Sequence, residues 1–249
     1  MNVAILGGSG HGAVIADAIE HANSLRLLGF LDGKLGSGEE VFGYKILGQL
    51  ADLPTLTGRR ELQGLVVGIG DNWSRAAAVK AIRKVAPQIR FPNVFHPSAT
   101  VAGRVLWGEG NVVLAGCVVN CGATIGSFCI LNTGCSVDHD CRLGDYVSLA
   151  PQACAGGNVD IGDYSAVCLG ARVVHRIRIG PHSVVGAGST VLKHVPARVT
   201  VYGTPARVIR PRKVGQAYLA ATGGECGGAQ PKQPSPRRTR KHSEGKSHG

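Results

Sequence analysis

Large apolar residues, nearly all of them aliphatic, recur at every sixth position across the second half of the chain. The series keeps its register over sixteen positions without an insertion, and fifteen of its members are larger than alanine. Those members are Val101, Trp107, Val113, Val119, Ile125, Leu131, Val137, Leu143, Leu149, Ala155, Ile161, Val167, Val173, Ile179, Val185 and Val191. The apolar positions of an amphipathic helix repeat every 3.6 residues, and those of a half-buried strand repeat every 2 residues. A period of six residues fits neither and predicts a solenoid of short strands.

Three hexads make one triangular coil of 18 residues, so the sequence predicts an all-β parallel β-helix over residues 93–211. The large aliphatic should point inward, and the small fifth residue of each hexad should lie near a corner. Successive coils should stack at the strand spacing of ~4.8 Å. The left hand is a known property of this repeat class and does not follow from the period.

Residues 1–92 show a different pattern, in which strands and helices alternate. We predict strands at 3–6, 27–31 and 65–69, and helices at 13–22 and 74–85. This alternation is typical of a Rossmann-like α/β domain, whose ligand binds at the carboxyl ends of parallel strands.

The net charge of +11 belongs mainly to the C-terminal end. From Arg207 onward there are ten Lys or Arg residues and two Glu, so residues 1–206 carry only a small excess of positive charge. Residues 212–249 are predicted to form a basic, disordered tail, because the end of the chain has almost nothing apolar to bury. Attraction to nucleic acid or to an anionic membrane is the alternative role for this tail. Nucleic acid is not expected as a partner of the folded part.

No run of about 20 apolar residues is present, so no membrane span is predicted. The chain opens directly on a strand-like segment and lacks the regions of a signal peptide, which indicates a cytoplasmic protein. Four of the eight cysteines occupy the small hexad position and should be buried thiols: Cys117, Cys129, Cys135 and Cys141.

A metal site is not predicted. There is no C-x-x-C pair. Zinc-binding β-helix enzymes of the gamma carbonic anhydrase type pair two histidines five residues apart. The histidines of the repeat do not show that spacing: His139, His175, His182 and His194.

His139 is the strongest candidate for chemistry. Asp138 and Asp140 flank it, and a carboxylate can orient an imidazole and raise its basicity. Gly157 follows 18 residues later and should stack on His139 about one strand spacing away. An imidazole beside an unobstructed backbone N–H suits acyl transfer, in which the N–H polarises a thioester carbonyl.

The glycine-rich turn from Gly7 to Gly12 precedes a predicted helix. Together with Asp32 it allows two interpretations, dinucleotide binding or the binding of another phosphorylated ligand at the helix N-terminus. We favour the second, because nothing in the chain resembles a hydride-transfer site.

The order of these motifs resembles the hexapeptide-repeat sugar acetyltransferases of the sialic acid O-acetyltransferase (NeuD/PglD-like) family, over residues 1 to about 211. The matching segments are Gly-x-Ser-Gly-His-Gly at the start, Phe-Leu-Asp after the second strand, Ile-Gly-Asp-Asn after the third, Asp-His-Asp in the repeat and Gly-Thr-Pro-Ala-Arg at its end. The family includes N-acetyltransferases that act on nucleotide-linked 4-amino-4,6-dideoxy sugars.

The resemblance implies acetyl-CoA as co-substrate and a homotrimer with sites between neighbouring β-helices. His139 would be the general base, Asp140 its acidic partner, and Asn132 a further site residue. Ser148 stands where some members have a second histidine, so no second base is assigned. Nucleotide-sugar contacts would come from Ser9, Gly10 and His11 at the phosphates, and from Asp32, Gly33, Gly70 and Trp73 at the nucleoside. Acetyl-CoA contacts would come from Gly157, Leu169, Ala187 and Lys193.

The expected activity is acetylation of a nucleotide-linked amino sugar in bacterial glycan synthesis. Two alternatives stay open. One is O-acetylation of a free sugar acid such as sialic acid, and the other is a non-catalytic β-helix scaffold that binds nucleotide sugars.

Overall fold

The computed structural model describes residues 1–58 and 61–219, and residues 1–219 form one compact unit. Most of the predicted tail, residues 220–249, lies outside the described residues. The N-terminal elements are β1 (Asn2–Leu6), α1 (Gly10–Ala22), β2 (Arg26–Leu31), β3 (Glu40–Val41), β4 (Tyr44–Gly48), a 3-10 turn (Leu50–Asp52), α2 (Leu53–Gly58), β5 (Gly64–Val67) and α3 (Asn72–Val85).

These strands form one sheet in the order β3-β4-β2-β1-β5. β1 pairs in parallel with both β2 and β5, so three carboxyl ends meet at one edge, as predicted. Alternate residues of β1 enter different cores: Val3 packs with Ile15 of α1, whereas Ala4 packs with Ile82 of α3. The sequence pattern did not predict β3, β4 or α2.

The second part of the chain is the predicted left-handed parallel β-helix. It consists of two-residue strands: β6 (Val94–Phe95), β7 (Thr100–Val101), β8 (Leu106–Trp107), β9 (Val112–Val113), β10 (Val118–Val119), β11 (Thr124–Ile125), β12 (Ile130–Leu131), β13 (Ser136–Val137), β14 (Arg142–Leu143), β15 (Ser148–Leu149), β16 (Cys154–Ala155), β17 (Asp160–Ile161), β18 (Ala166–Val167), β19 (Arg172–Val173), β20 (Arg178–Ile179), β21 (Val184–Val185) and β22 (Thr190–Val191).

Each aliphatic residue of the series is the second residue of its strand, and from Val113 onward all of them are buried. Strands 18 residues apart pair in parallel, for example Val119 with Val137. The repeat begins one hexad earlier than the series, at β6, because Phe95 also packs against the interior.

The β-helix has three faces. We call the sheet that contains β6, β9, β12, β15, β18 and β21 the first face, that of β7, β10, β13, β16, β19 and β22 the second, and that of β8, β11, β14, β17 and β20 the third. The C-terminal hairpin of β23 (Val199–Gly203) and β24 (Ala206–Pro211) continues the first face.

The fifth residues of the hexads lie at the corners, and several that are cysteine or serine bond to backbone there. The four cysteines predicted to be buried are buried. The Cys141 thiol donates to the carbonyl of Gly156 at 3.1 Å, and the Ser165 hydroxyl donates to that of Gly180 at 2.9 Å. A small polar side chain thus satisfies a carbonyl 15 residues later, which a purely apolar corner would leave unpaired.

Helix α3 packs on the β-helix through a ladder of stacked rings. Phe128, Tyr146, Tyr164 and His182 are 18 residues apart, with successive ring centroids 5.0–5.3 Å from each other. Trp73 of α3 stacks on Tyr164 with a centroid distance of 4.4 Å.

Arg75 of α3 is completely buried at this junction. Its guanidinium donates to the Ile69, Gly70, Phe128 and Tyr146 carbonyls, to Asn72 Oδ1 and to Ser148 Oγ. The Asn72 amide donates in turn to the carbonyls of Tyr164 and Ser165. A network of buried polar groups therefore connects the α/β sheet to the coils.

Residues 212–219 return to the N-terminal end of α3. The backbone N–H of Tyr218 donates to Asp71 Oδ2 at 3.1 Å. This segment lies within the predicted tail, but its contacts extend the compact part of the chain to Leu219.

None of the helices in the described ranges is long and apolar enough to cross a membrane.

Candidate active site

A cleft of about 850 Å³ opens at the carboxyl ends of β1, β2 and β5. Four of the predicted nucleotide-sugar residues line it: Ser9, Asp32, Gly33 and Gly70. The cleft also includes backbone of the glycine turn, Lys34 and Ser74. This is the position at which parallel α/β sheets bind ligands.

The Asp32 carboxylate organises one side of the cleft. Its Oδ2 accepts the Gly8 N–H at 2.7 Å, and its Oδ1 accepts the N–H groups of Lys34 and Leu35 at 2.8 and 3.2 Å. Burial acts to raise the pKa of Asp32, but these three backbone donors outweigh it and lower the pKa overall. Asp32 therefore stays ionised and holds the glycine turn beside the cleft.

The N-terminus of α1 forms another side. Ser9 is the N-cap residue in an extended conformation, and its side chain makes no capping hydrogen bond within the described chain. The first turn carries no acidic residue. Gly12 is required here, since a Cβ at this position would lie against the carbonyl oxygen of Gly7. The N–H groups of the first turn and the helix dipole suit an anionic ligand.

The other predicted contacts do not line this cleft. Gly10 is the first residue of α1, with open space around it. His11 is half-buried, and its Nε2 has no partner among the residues described. Burial and the nearby Arg75 cation lower the pKa of His11 to about 4, so its ring is neutral at pH 7 and is a poor phosphate ligand. Trp73 is held in the ring ladder, because stacking on Tyr164 turns it toward the β-helix.

His139 lies at the corner between the second and third faces and is about half exposed. Its Nδ1 is 2.8 Å from Asp140 Oδ2. An ionised carboxylate only accepts, so Nδ1 carries the proton and Nε2 has a free lone pair in the neutral ring. The hydrogen bond to Asp140 is the largest cause of a raised pKa for His139. Asp138 fixes the backbone by accepting the His139 N–H at 2.8 Å.

Gly157 stacks on His139 as the 18-residue coil predicts. A Cβ built on Gly157 would be 2.5 Å from His139 Nε2, so the imidazole occupies the space that the glycine leaves. The Gly156 carbonyl accepts the buried Cys141 thiol and therefore points inward. In a trans peptide the following N–H points the opposite way. The Gly157 N–H thus faces outward, and it has no acceptor within residues 1–58 and 61–219.

The remaining predicted residues divide between two corners. Lys193 follows β22 and shares the corner of His139 and Gly157. Asn132, Leu169 and Ala187 follow first-face strands and lie at the corner between the first and second faces. The structure therefore does not bring these three residues to His139 within one chain. Asn132 Oδ1 accepts the Thr133 N–H at 2.8 Å, and Leu169 is 57% exposed.

One group among the described residues has the geometry to hold a metal ion. Potential ligand atoms of Asp17, His21 and His96 all lie within 4.8 Å of one another. Both histidines use Nδ1 in hydrogen bonds, His21 with the Asp17 carbonyl and His96 with Ser98. None of the three is among the residues that line the cleft.

Two features near the cleft were missed from the sequence. Arg75 has no sequence signal, because a basic residue in an amphipathic helix normally faces solvent. Tyr218 was assigned to the tail. The ring ladder, in contrast, could have been found from its 18-residue spacing, which is the period of the coil.

Comparisons with known proteins agree with this architecture. The family profile described as the PglD N-terminal domain matches residues 2–82. A comparison with curated protein sequences gives no significant match. Perosamine N-acetyltransferase from Caulobacter crescentus, solved as a mutant with CoA and GDP-perosamine, is 34% identical with a TM-score of 0.80. That match covers 84% of this chain and 97% of that one.

Two further solved structures are similar. The acetyltransferase domain of PglB from Neisseria gonorrhoeae, in complex with acetyl coenzyme A, is 30% identical with a TM-score of 0.78, over 84% of this chain and 98% of that one. WeeI from Acinetobacter baumannii is 28% identical with a TM-score of 0.75, over 84% and 100%. From its motifs, its fold and these matches, the chain belongs to the NeuD/PglD-like family of sugar acetyltransferases.

Proposed function

We propose that this chain transfers the acetyl group of acetyl-CoA to the amine of a nucleotide-linked 4-amino-4,6-dideoxy sugar. The observation that carries the proposal is the corner where the free Nε2 of His139 lies against Gly157. Solved relatives at 30% identity or more bind CoA or acetyl-CoA, and the Caulobacter enzyme also binds GDP-perosamine. Under this proposal, residues 1–92 bind the sugar nucleotide and residues 93–211 catalyse the acetyl transfer.

His139 supplies the base. Its neutral Nε2 accepts a proton from the sugar amine as the nitrogen attacks the thioester carbonyl carbon. Asp140 keeps the proton on Nδ1 and stabilises the imidazolium that forms. When the C–S bond breaks, the imidazolium returns the proton to the departing CoA thiolate.

Gly157 supplies the electrophilic contact. Its outward N–H can donate to the thioester oxygen, which becomes negative in the tetrahedral intermediate. A glycine is needed because any Cβ would displace the imidazole. Because Gly157 has no side chain, the His139 ring can lie against it and the thioester oxygen can reach the Gly157 N–H.

The sugar nucleotide fits the N-terminal cleft. The diphosphate would lie at the first turn of α1, where Ser9 and the backbone N–H groups are available. The nucleoside would lie beside Asp32 and Gly33, at the end of β2. A diphosphate at a helix N-terminus needs no positive side chain, which agrees with the neutral state of His11.

We further propose a homotrimer with a shared site. Asn132, Leu169 and Ala187 lie at one edge of the second face, and His139, Gly157 and Lys193 at the other. A three-fold arrangement brings one edge of each chain to the opposite edge of its neighbour. Acetyl-CoA would lie between the two β-helices, where the exposed Leu169 would be covered.

We also propose that the enzyme acts in the cytoplasm and that its product is used in bacterial glycan synthesis.

The test is a thiol-release assay with acetyl-CoA and a panel of GDP-, UDP- and dTDP-linked 4-amino-4,6-dideoxy sugars, with free sialic acid as comparison. We expect turnover with an amino sugar. Turnover only with sialic acid would favour O-acetylation, and no acetyl transfer to any acceptor would favour a binding scaffold.

A further inference from the structure

The C-terminal segment, residues 212–219, reaches the rim of the nucleotide cleft. The match to the Caulobacter enzyme covers 97% of that chain but 84% of this one. The unmatched part of this chain is about as long as the region beyond residue 211. The contacts that the segment makes at the rim of the cleft need an explanation of their own.

Tyr218 anchors the segment at two points. Its backbone N–H donates to Asp71 Oδ2 at 3.1 Å, and its hydroxyl donates to the Gly70 carbonyl at 3.3 Å. The other oxygen of Asp71 caps α3 by accepting the Ser74 N–H at 2.9 Å. Burial of the phenol is the main reason that the pKa of Tyr218 is raised. The ring is thus inserted beside the loop that follows β5.

Leu219 is placed by this anchor. One of its methyl carbons, Cδ1, would lie 3.1 Å from a Cβ on Gly70, so the side chain covers the backbone of a residue that lines the cleft. Leu219 is nevertheless 58% exposed. Leu219 thus has exposed apolar surface at the edge of the cleft, and a ligand bound in the cleft would cover it.

The order of the strands indicates which part of the ligand lies there. Along the carboxyl edge the sequence of elements is β2, β1, β5. Asp32 follows β2, the glycine turn follows β1, and Gly70 follows β5. With the nucleoside at Asp32 and the diphosphate at the glycine turn, the hexose continues toward Gly70 and Leu219.

We propose that Leu219, positioned by Tyr218, contacts the C6 methyl group of the 4-amino-4,6-dideoxy hexose and selects against sugars with a 6-hydroxyl group. The proposal rests on the proposed function, since it takes the nucleotide sugar as the ligand of this cleft. A methyl group against leucine buries apolar surface on both sides, whereas a hydroxyl there loses its hydrogen bonds to water.

The experiment measures equilibrium binding to the full-length chain by calorimetry. The probes are GDP, GDP-perosamine, the 6-hydroxylated counterpart of GDP-perosamine, and acetyl-CoA. UDP- and dTDP-linked sets replace the GDP set if the wild-type chain binds them more tightly. We expect Leu219→Ala to lower the affinity for the 6-deoxy sugar nucleotide roughly five- to tenfold. The affinities for the free nucleotide and acetyl-CoA should not change.

Tyr218→Ala should have the same effect, and Tyr218→Phe, which keeps the ring, should retain most of the affinity. Leu106→Ala removes a leucine that is 68% exposed on the third face and serves as the matched control. Equal preference of the wild-type chain for 6-deoxy and 6-hydroxy sugars, or unchanged affinity of Leu219→Ala, would overturn the proposal. Binding does not require acetyl transfer, so a failed assay of turnover would count against the proposed function and not against the role of Leu219.

Discussion

At the scale of single residues, the proposed chemistry depends on how His139 is held. Asp140 has a φ of 59°, in the left-handed region, and this turn directs its carboxylate back to the preceding imidazole. Two neighbours in sequence therefore form the proposed base and its partner without help from a distant element. The ring then leans on Gly157 of the next coil.

The Asp140→Asn variant should separate the effect of Asp140 on the orientation of the His139 ring from its effect on the basicity of that ring. Asparagine tolerates the left-handed conformation, so the backbone should stay in place. Loss of the carboxylate lowers the raised pKa of His139 toward its ordinary value. Because only neutral His139 accepts a proton, kcat/KM rises with pH through this pKa, and in the variant the rise should occur at lower pH. The plateau should fall about tenfold, since the base is weaker.

His139→Ala is the reference for that pH profile. It should lower kcat about 10²–10⁴-fold and remove the rise with pH. Retention of the wild-type profile in this variant would show that another group is the base.

Gly157→Ala should be as damaging as loss of the base. The added methyl group would collide with His139 Nε2, and the ring would have to leave its position. We expect a fall in kcat of about 10²-fold or more, with the melting temperature little changed because the ring is half exposed. Gly103→Ala, where an added Cβ has open space and φ is not positive, as at Gly157, is the matched control.

At the scale of elements, α3 is the connection between the two halves of the chain. Asp71 caps its N-terminus, Trp73 stacks on the ring ladder, and Arg75 is buried among acceptors from both sides. All the acceptors of Arg75 are carbonyl, amide or hydroxyl oxygens. Removing the side chain would take away the side-chain donor of the Phe128 and Tyr146 carbonyls, whereas the Gly70 carbonyl would keep the Tyr218 hydroxyl and Asn72 Oδ1 would keep the Ser148 hydroxyl.

Arg75→Ala should therefore be strongly destabilising. We expect a loss of about 3–5 kcal/mol in the free energy of unfolding, measured by urea denaturation. Arg83 lies on the same helix and bonds to Glu109, but both side chains are about half exposed. Arg83→Ala should cost less than about 1 kcal/mol. Equal losses for the two variants would mean that the buried network contributes little.

At the scale of the whole molecule, the residues proposed for one reaction lie at two corners of each β-helix. A single chain cannot bring Asn132 to His139, because the second face separates them. In the proposed trimer a second copy supplies the other corner, so the oligomer would be part of the catalytic machinery.

Mixing two inactive variants tests this shared site. Asn132→Ala and His139→Ala subunits, unfolded and reassembled together in equal amounts, should recover up to about a quarter of the wild-type activity. Each shared site needs an intact Asn132 from one subunit and an intact His139 from its neighbour. When equal amounts assemble at random, about one site in four meets both conditions. Analytical ultracentrifugation should show a trimer for each sample. No recovery in verified mixed trimers would place the whole site within one chain.

Local repetition explains how much could be predicted from the sequence. An inward aliphatic every six residues specifies its own coil, and the 18-residue stack then places Gly157 on His139 whatever the rest of the chain does. The N-terminal cleft was predictable for a similar reason, since carboxyl ends of adjacent parallel strands meet at one edge.

The tertiary structure decided what depends on contacts between distant segments. His11 and Trp73 follow glycine-rich or strand-end turns, as ligand contacts often do, but the packing of α1 and α3 turned them away from the cleft. Arg75 and Tyr218 look like surface and tail residues. The docking of α3 buries Arg75, and the docking of residues 212–219 leaves Tyr218 half-buried. Periodicity reports which side of an element is buried, whereas the partner that buries it is fixed only when the elements pack.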